Sequence, residues 1–221
     1  MQEATPAIQP DPTPSQRPPR QHVPRGTAEF GMWLLLASLT VLFAASLLAY
    51  ALIRLGVFGW PVDPTTGIRP EPPAPSAVQM PAGLWASTLL ILASSYTIHR
   101  AVGAVRRERQ SSFRHWLLVT MGLAAVFLLV QAPSLAELLG RQSDAAAGPG
   151  SARLFHFAFF LIVVHALHVV GGVIPLCIVV RAAHRGRYDH EYHTPVKTLA
   201  MYWHFLDVIW MAMFGVLLAL G

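Results

Sequence analysis

Two pairs of ionisable residues stand inside long apolar stretches of the sequence, and they are the residues best suited to chemistry. His204 and Asp207 are three residues apart, and so are His165 and His168. Residues at this spacing lie on the same face of a helix. Imidazole and carboxylate groups can ligate a metal or pair with one another across helices. Since ionisable groups are costly inside hydrocarbon, we expect them to face the interior of a helix bundle.

The stretches that carry these residues are long enough to cross a membrane. Hydrophobic residues make up 54% of the 221-residue chain and charged residues 12%, which is too apolar for an ordinary soluble domain. A spanning helix needs roughly 20 apolar residues, and five stretches meet this requirement. They cover residues 30–53, 83–105, 116–139, 154–180 and 198–220. The sequence therefore predicts an all-α integral membrane protein, a bundle of five transmembrane helices.

The N-terminal segment has a different character. Residues 1–27 precede a single five-span domain of residues 28–221, and the first 26 residues contain seven prolines and no apolar run. Such a composition cannot bury enough apolar surface to fold, and it lacks the apolar region of a signal peptide. We expect a disordered cytoplasmic tail. A second segment, residues 61–81, also holds seven prolines and is expected to lie extended over one membrane face.

Lys and Arg residues are distributed unevenly between the connections. Twelve of them lie in the N-terminal tail, the second-to-third connection and the fourth-to-fifth connection, and four lie elsewhere. Basic residues accumulate on the cytoplasmic side of membrane proteins. The distribution predicts a cytoplasmic N-terminus and an external, periplasmic C-terminus.

Depth along the helices predicts which polar side chains meet. At about 1.5 Å per residue, Asp207 lies roughly 15 Å and His168 roughly 20 Å from the cytoplasmic ends of their spans. A carboxylate that accepts from a ring N–H satisfies both groups in hydrocarbon. We therefore predict a His168–Asp207 pair within a structural polar network that also contains His165, His204 and Gln131.

Haem or metal ligation by these histidines is the competing interpretation. Two axial ligands must reach one iron, yet His204 and His168 are offset by about 10 Å along the membrane normal. His165 and His168 lack the carboxylates or thiolates that would complete a non-haem site. The sequence predicts no catalytic, cofactor-binding or metal-binding residue in this chain. Trp203 and Trp210 share a helix face and are expected to serve packing or lipid contact. Lipid contact is also expected for His193 and Arg181.

Three motifs give the chain a family resemblance. Residues 202–210 read Tyr-Trp-His-Phe-Leu-Asp-Val-Ile-Trp, which resembles the signature Tyr-Trp-His-Phe-x-Asp-x-x-Trp of subunit III of the haem-copper respiratory oxidases. Residues 165–171, His-Ala-Leu-His-Val-Val-Gly, are similar to the family element His-Gly-Leu-His-Val-x-Gly. Residues 87–97 resemble its Asn-Thr-x-x-Leu-Leu-x-Ser-Ser-x-Thr run, with Ser87 in the place of the asparagine. The order of these motifs along the chain strengthens the resemblance.

The chain departs from the family pattern at the membrane carboxylates. Leu39 stands where the family usually has a glutamate in its first conserved helix. In the third helix the family pattern is Gln-x-x-Glu, whereas this chain keeps Gln131, has Ser134 in the place of the acid, and carries Glu137 one turn later. Lys197 replaces a glutamate ahead of the last helix. These departures argue against a direct role in proton handling.

The resemblance implies a non-redox subunit of a proton-pumping terminal oxidase in a bacterial inner membrane. Haem and copper would reside in partner subunits, of which subunits I and II are expected. This chain would stabilise the catalytic subunit and hold phospholipid. It lacks two N-terminal helices of longer members, so a partner is expected to close that side of the lipid cleft. The sequence also leaves open a component of a quinol oxidase or nitric-oxide-reducing complex, a haem b electron carrier, and, least favoured, a small transporter.

Overall fold

Five long helices make up the described part of the molecule. The computed structural model describes residues 26–57, 62, 64–68, 82–145, 149–189 and 191–220, without the side chains of 82, 84, 134, 135, 137–145 and 149–156. The helices are α1 (Thr27–Arg54), α2 (Ala82–Arg106), α3 (Gln110–Ala145), α4 (Pro149–His184) and α5 (Thr194–Leu220). The predicted tail and most of the second proline-rich segment lie outside these residues. So do the side chains of Ser134 and Glu137.

All five helices are long and apolar enough to cross a membrane, so the predicted all-α membrane fold is confirmed. Each helix covers its predicted span and extends beyond it by at least one residue at one end or both. The extension beyond the predicted span is largest for α3 and α4. Each of these helices also contains a proline, Pro133 in α3 and Pro175 in α4. Hydropathy marks the apolar part of a helix, whereas backbone hydrogen bonding continues into the polar flanks.

Helices α4 and α5 form the centre of the bundle. They pack on each other, and together with α1 they form a three-helix group; with α2 and α3 they form a four-helix group. Within the described residues α1 touches neither α2 nor α3. The core of the first group contains Phe43, Leu161 and Met213. The second group has two buried clusters, one around Ile98, Leu117 and Leu176 and one around Ile91, Phe127 and Leu206. The two groups therefore share one pair of helices, and α5 contacts neighbours on both sides.

Polar contacts at the helix ends fix the relative directions of the helices. At the starts of α1 and α5, the Lys197 ammonium donates to Glu29 Oε2 at 2.9 Å. At their ends, Arg54 Nε donates to the Leu220 carbonyl. Helices α1 and α5 are therefore parallel. The Gln110 amide donates to the Tyr188 carbonyl at 2.8 Å, which joins the α2–α3 turn to the α4–α5 connection at that same end of the bundle.

Two close fits set the helix packing near the centre. Thr97 of α2 and Thr120 of α3 share a buried hydroxyl contact at 2.9 Å. At Gly172 of α4, an added Cβ atom would lie 2.9 Å from Cε1 of Tyr202 on α5. Small residues allow helices to approach closely inside a membrane. Gly172 is thus required by the α4–α5 contact, which positions the residues described next.

Candidate functional site

Asp207 is the most deeply placed carboxylate of the spans that the structure describes. It lies on α5 inside the four-helix group and is 5% exposed. Neither of its carboxylate oxygens has a hydrogen-bond partner among the described residues. It lines a cavity of about 10 Å³ whose other walls are Ile91, Ala124, Phe127, Val169, Trp203 and Leu206. A carboxylate in such surroundings is unusual because buried polar groups are normally hydrogen-bonded.

A line of polar side chains leads from Asp207, inside the bundle, to the exposed lateral surface of α2 and α5. The Nδ1 atom of His204 lies 2.6 Å from the Ser95 hydroxyl of α2 and 4.0 Å from Asp207 Oδ2. The His204 ring centroid is 6.2 Å from that of His99, which is exposed on α2. His204 and Asp207 are thus the pair within the predicted network that the structure brings together.

The predicted His168–Asp207 pair is wrong. His168 Nδ1 lies 2.7 Å from the Val164 carbonyl of its own helix. Its ring packs edge-on against Phe43 of α1, with centroids 5.5 Å apart. His168 and Asp207 lie at similar depths along their helices. However, the His168 side chain is turned toward α1, whereas the Asp207 side chain is turned toward the cavity of the four-helix group. Rotation about the helix axis, which depth does not specify, separates the two side chains.

The two other predicted members of the network are buried without a full set of partners. His165 is 1% exposed, lies between the rings of Phe43 and Trp210, and has no hydrogen bond on either ring nitrogen. Gln131 is buried, and its Oε1 atom has no partner in the described structure. The predicted network is therefore a set of buried polar groups and does not form one connected chain.

In the structure Trp203 and Trp210 are packing residues, the first of the two roles expected for them, and neither is exposed at the surface of the chain. Trp203 is 4% exposed and Trp210 is 3% exposed, and the Trp210 ring also packs against Phe127 of α3 and His165 of α4. The indole N–H of Trp203 donates to the Ser94 hydroxyl at 2.9 Å, and that of Trp210 donates to the Thr88 hydroxyl at 3.0 Å. The family-like hydroxyl run of α2 is therefore the partner of the aromatic signature on α5.

Sequence reasoning identified neither these hydroxyl partners nor His99. Ser94 and Ser95 lie within the family-like run of residues 87–97. The sequence feature that could have indicated them is the spacing of Ser95 and His99, which are four residues apart and therefore lie on one face of a largely apolar span. Among the described residues, no group of three or more His, Cys, Asp or Glu side chains is arranged to hold a metal ion.

Basic residues line a groove at the end of α4. The groove has a volume of about 200 Å³ and is lined by Ile178, Arg181, Ala182, Arg185 and Arg187. Three of the five lining residues are arginines, and the other two are apolar. An arginine is suited to phosphate because its planar fork donates two parallel hydrogen bonds. His193, in the α4–α5 connection, is half-buried. Its backbone carbonyl accepts hydrogen bonds from the backbone N–H groups of Val196 and Lys197 at the start of α5.

The lysine that departs from the family pattern has an acidic partner. Lys197 pairs with Glu29 of α1, and the two side chains are 37% and 35% exposed. A pair with this exposure contributes little stability in water, typically below about 1 kcal/mol. Its value lies in geometry, because it ties the start of α1 to α5. Leu39, at the position of the family glutamate, is half-buried on α1.

Comparison with known proteins gives a consistent result. The family model for cytochrome c oxidase subunit III matches residues 20–221. Cytochrome c oxidase subunit 3 of Thermostichus vulcanus is 29% identical over 190 residues, which cover 85% of this chain and 84% of that protein. The subunit of the same name from Synechocystis is 24% identical over 84% of this chain and 72% of its own length. Cytochrome bo(3) ubiquinol oxidase subunit 3 of Pseudomonas aeruginosa is 26% identical over 90% of this chain and 88% of its own length.

Proposed function

The chain belongs to the cytochrome c oxidase subunit III family, and from this premise we propose that it is the non-redox subunit III of a proton-pumping terminal oxidase in a bacterial inner membrane. The observation that carries the proposal is the contact between the family motifs. The aromatic signature of α5 packs into the hydroxyl run of α2 through Trp203–Ser94 and Trp210–Thr88. These motifs therefore build a rigid helix pair, which suits a subunit that supports a catalytic partner.

The redox chemistry belongs to the partners in this proposal. Subunits I and II would carry the haem and copper and would bind the electron donor, either cytochrome c or quinol. Within the described residues, His168 and His204 have separate partners: His168 Nδ1 lies against the Val164 carbonyl of its own helix, and His204 Nδ1 lies against the Ser95 hydroxyl. That arrangement favours structural roles over axial haem ligation, and we assign no cofactor to this chain.

Phospholipid binding is the second part of the proposed role. The groove formed by Arg181, Arg185 and Arg187 suits an anionic headgroup. The exposed apolar side chains Ile178 and Ile174 continue from it along α4, at the spacing of one helical turn. An acyl chain could follow this stripe while the headgroup phosphate meets the guanidinium groups.

The proposed orientation is supported by the helix directions. The starts of α1 and α5, the α2–α3 turn and the α4–α5 connection all lie at one end of the bundle. These are the segments that contain most of the basic residues. By the positive-inside rule this end faces the cytoplasm, and the C-terminus is external.

Affinity purification from the native membrane in mild detergent tests the proposal. We expect subunits I and II of one oxidase to co-purify, together with oxygen-reducing activity and the haem and copper of those subunits. Chain separated from its partners should show no b-type band in a reduced-minus-oxidised spectrum. A stoichiometric band in the isolated chain, or a preparation that contains no oxidase subunit, would contradict the proposed function.

A further inference from the structure

The outer face of α5 carries one ionisable side chain, His204, on an otherwise apolar strip of a helix long enough to span a membrane. Because α1 and α2 pack on different sides of α5 and do not touch, a strip of α5 between them is open. We call it the outer stripe; it consists of His204, Val208, Met211 and Gly215. Val208 is 65% exposed, and nothing lies within 4 Å of a Cβ atom added at Gly215.

Two imidazoles stand at the same level beside this stripe. His204 follows Lys197 by seven residues and His99 precedes Arg106 by seven, so both lie about 10 Å from the cytoplasmic ends of their helices. His99 is exposed, and the His204 side chain is 39% exposed. Ser95 occupies Nδ1 of His204, which leaves Nε2 for a partner. Ionisable residues inside membrane spans almost always face protein or a water-filled cavity.

The opposite side of the bundle shows what a lipid-facing surface looks like in this molecule. On α4, Leu167, Ile174 and Ile178 are more than half exposed, and all of them are apolar. The outer stripe differs because it contains His204, with His99 of α2 beside it. An acyl chain could cover Val208 and Met211 but would offer no hydrogen-bond partner to His99 or to Nε2 of His204, which is costly in hydrocarbon.

The stripe has the form of a helix-packing surface. Its residues follow the spacing i, i+4, i+7, i+11, and Gly215 allows a second helix to approach closely at its far end. We propose that the outer stripe, with His99, docks a transmembrane helix of a partner subunit that presents a hydrogen-bond acceptor opposite the two imidazoles. This inference rests on the proposed function, which supplies oxidase subunits as partners, and it identifies the face of this chain that they occupy.

Photo-crosslinking in the intact membrane complex tests the docking face. A benzophenone amino acid is placed at Val208, and the matched control carries it at Ile174, which is 62% exposed on α4. We expect Val208 to form an adduct with one transmembrane helix of an oxidase subunit, and Ile174 to form lipid adducts. Lipid adducts alone at Val208, or a crosslinked pair of copies of this chain, would overturn the inference.

The outcome separates the two proposals. If oxidase subunits co-purify and Val208 reaches only lipid, the docking face is wrong and the proposed function stands. If no oxidase subunit is present, the proposed function fails, and the docking face, whose occupant is a helix of an oxidase subunit, fails with it.

The role of the imidazoles is tested by His99→Leu in the complex. We expect retention of the partner through detergent washing to fall about 3-fold to 10-fold, in line with interhelical hydrogen bonds in membranes. His184→Leu is the matched control, because His184 is exposed near the end of α4 and its Nδ1 contacts the carbonyl of Val180 in its own helix. Equal retention in the two variants would show that His99 meets no partner.

Discussion

Trp203 of α5 donates its indole N–H to the hydroxyl of Ser94 on α2 at 2.9 Å, and both residues are buried. This bond joins two motifs that are more than 100 positions apart in the chain. It places the aromatic signature between helices, where it holds α2 against α5. The family motifs of this protein are therefore packing motifs.

Ser94→Ala is expected to destabilise the bundle by about 1–3 kcal/mol, because the buried Trp203 N–H loses its acceptor. Thermal unfolding of the purified complex in detergent measures the effect. Ser38→Ala is the control, since that exposed hydroxyl bonds the Leu34 carbonyl of its own helix and its loss should change little. Equal effects of the two substitutions would argue against the interhelical bond.

Adjacent glycines on α4 should respond differently to alanine. At Gly172 the new Cβ atom would lie 2.9 Å from Tyr202 Cε1, whereas at Gly171 nothing lies within 4 Å. Gly172→Ala is expected to cost about 1–3 kcal/mol through overpacking. Gly171→Ala should be neutral or stabilising, because alanine favours the helix by about 1 kcal/mol. Unfolding temperatures of the two variants test this, and the reverse order would contradict the α4–α5 packing.

Asp207 is expected to couple energetically to His204 and not to His168. A double-mutant cycle with leucine at His204 and Asp207 should give a coupling of about 0.5–3 kcal/mol, the range for residues in contact. The cycle for His168 and Asp207 should be additive within about 0.5 kcal/mol, because no hydrogen bond or ion pair joins them in the structure. Strong coupling in the His168–Asp207 cycle would contradict the structure and would support the pair that the sequence predicts.

The two ends of the bundle should differ in their access to a membrane-impermeant maleimide. In a Cys177→Ser background, which removes the single native cysteine, Leu55→Cys should react in intact spheroplasts. Arg187→Cys should react only after lysis, because its connection contains the basic residues of the cytoplasmic end. Both positions are exposed. The opposite pattern of labelling would invert the topology.

The sequence by itself determined the membrane fold and the family. Five apolar stretches of spanning length predicted α1 to α5, since hydrocarbon requires backbone groups to be satisfied within each helix. Charged and proline-rich segments separated the five apolar runs but did not give the helix ends, since α3 and α4 continue several residues beyond their predicted spans. The residue types of 202–210 and 165–171 were sufficient to recognise the family.

Only the tertiary structure decided which side chains meet. Depth placed Asp207 near His168, but the rotation of α4 turned His168 toward Phe43, and the rotation of α5 turned Asp207 toward the cavity of the four-helix group. In a chain that is apolar all around its helices, hydropathy carries little information about facing direction. The direction in which each helix face points is set by close contacts between residues that are distant in sequence. Examples are the contact of Gly172 with Tyr202 and the hydrogen bond from Trp203 to Ser94.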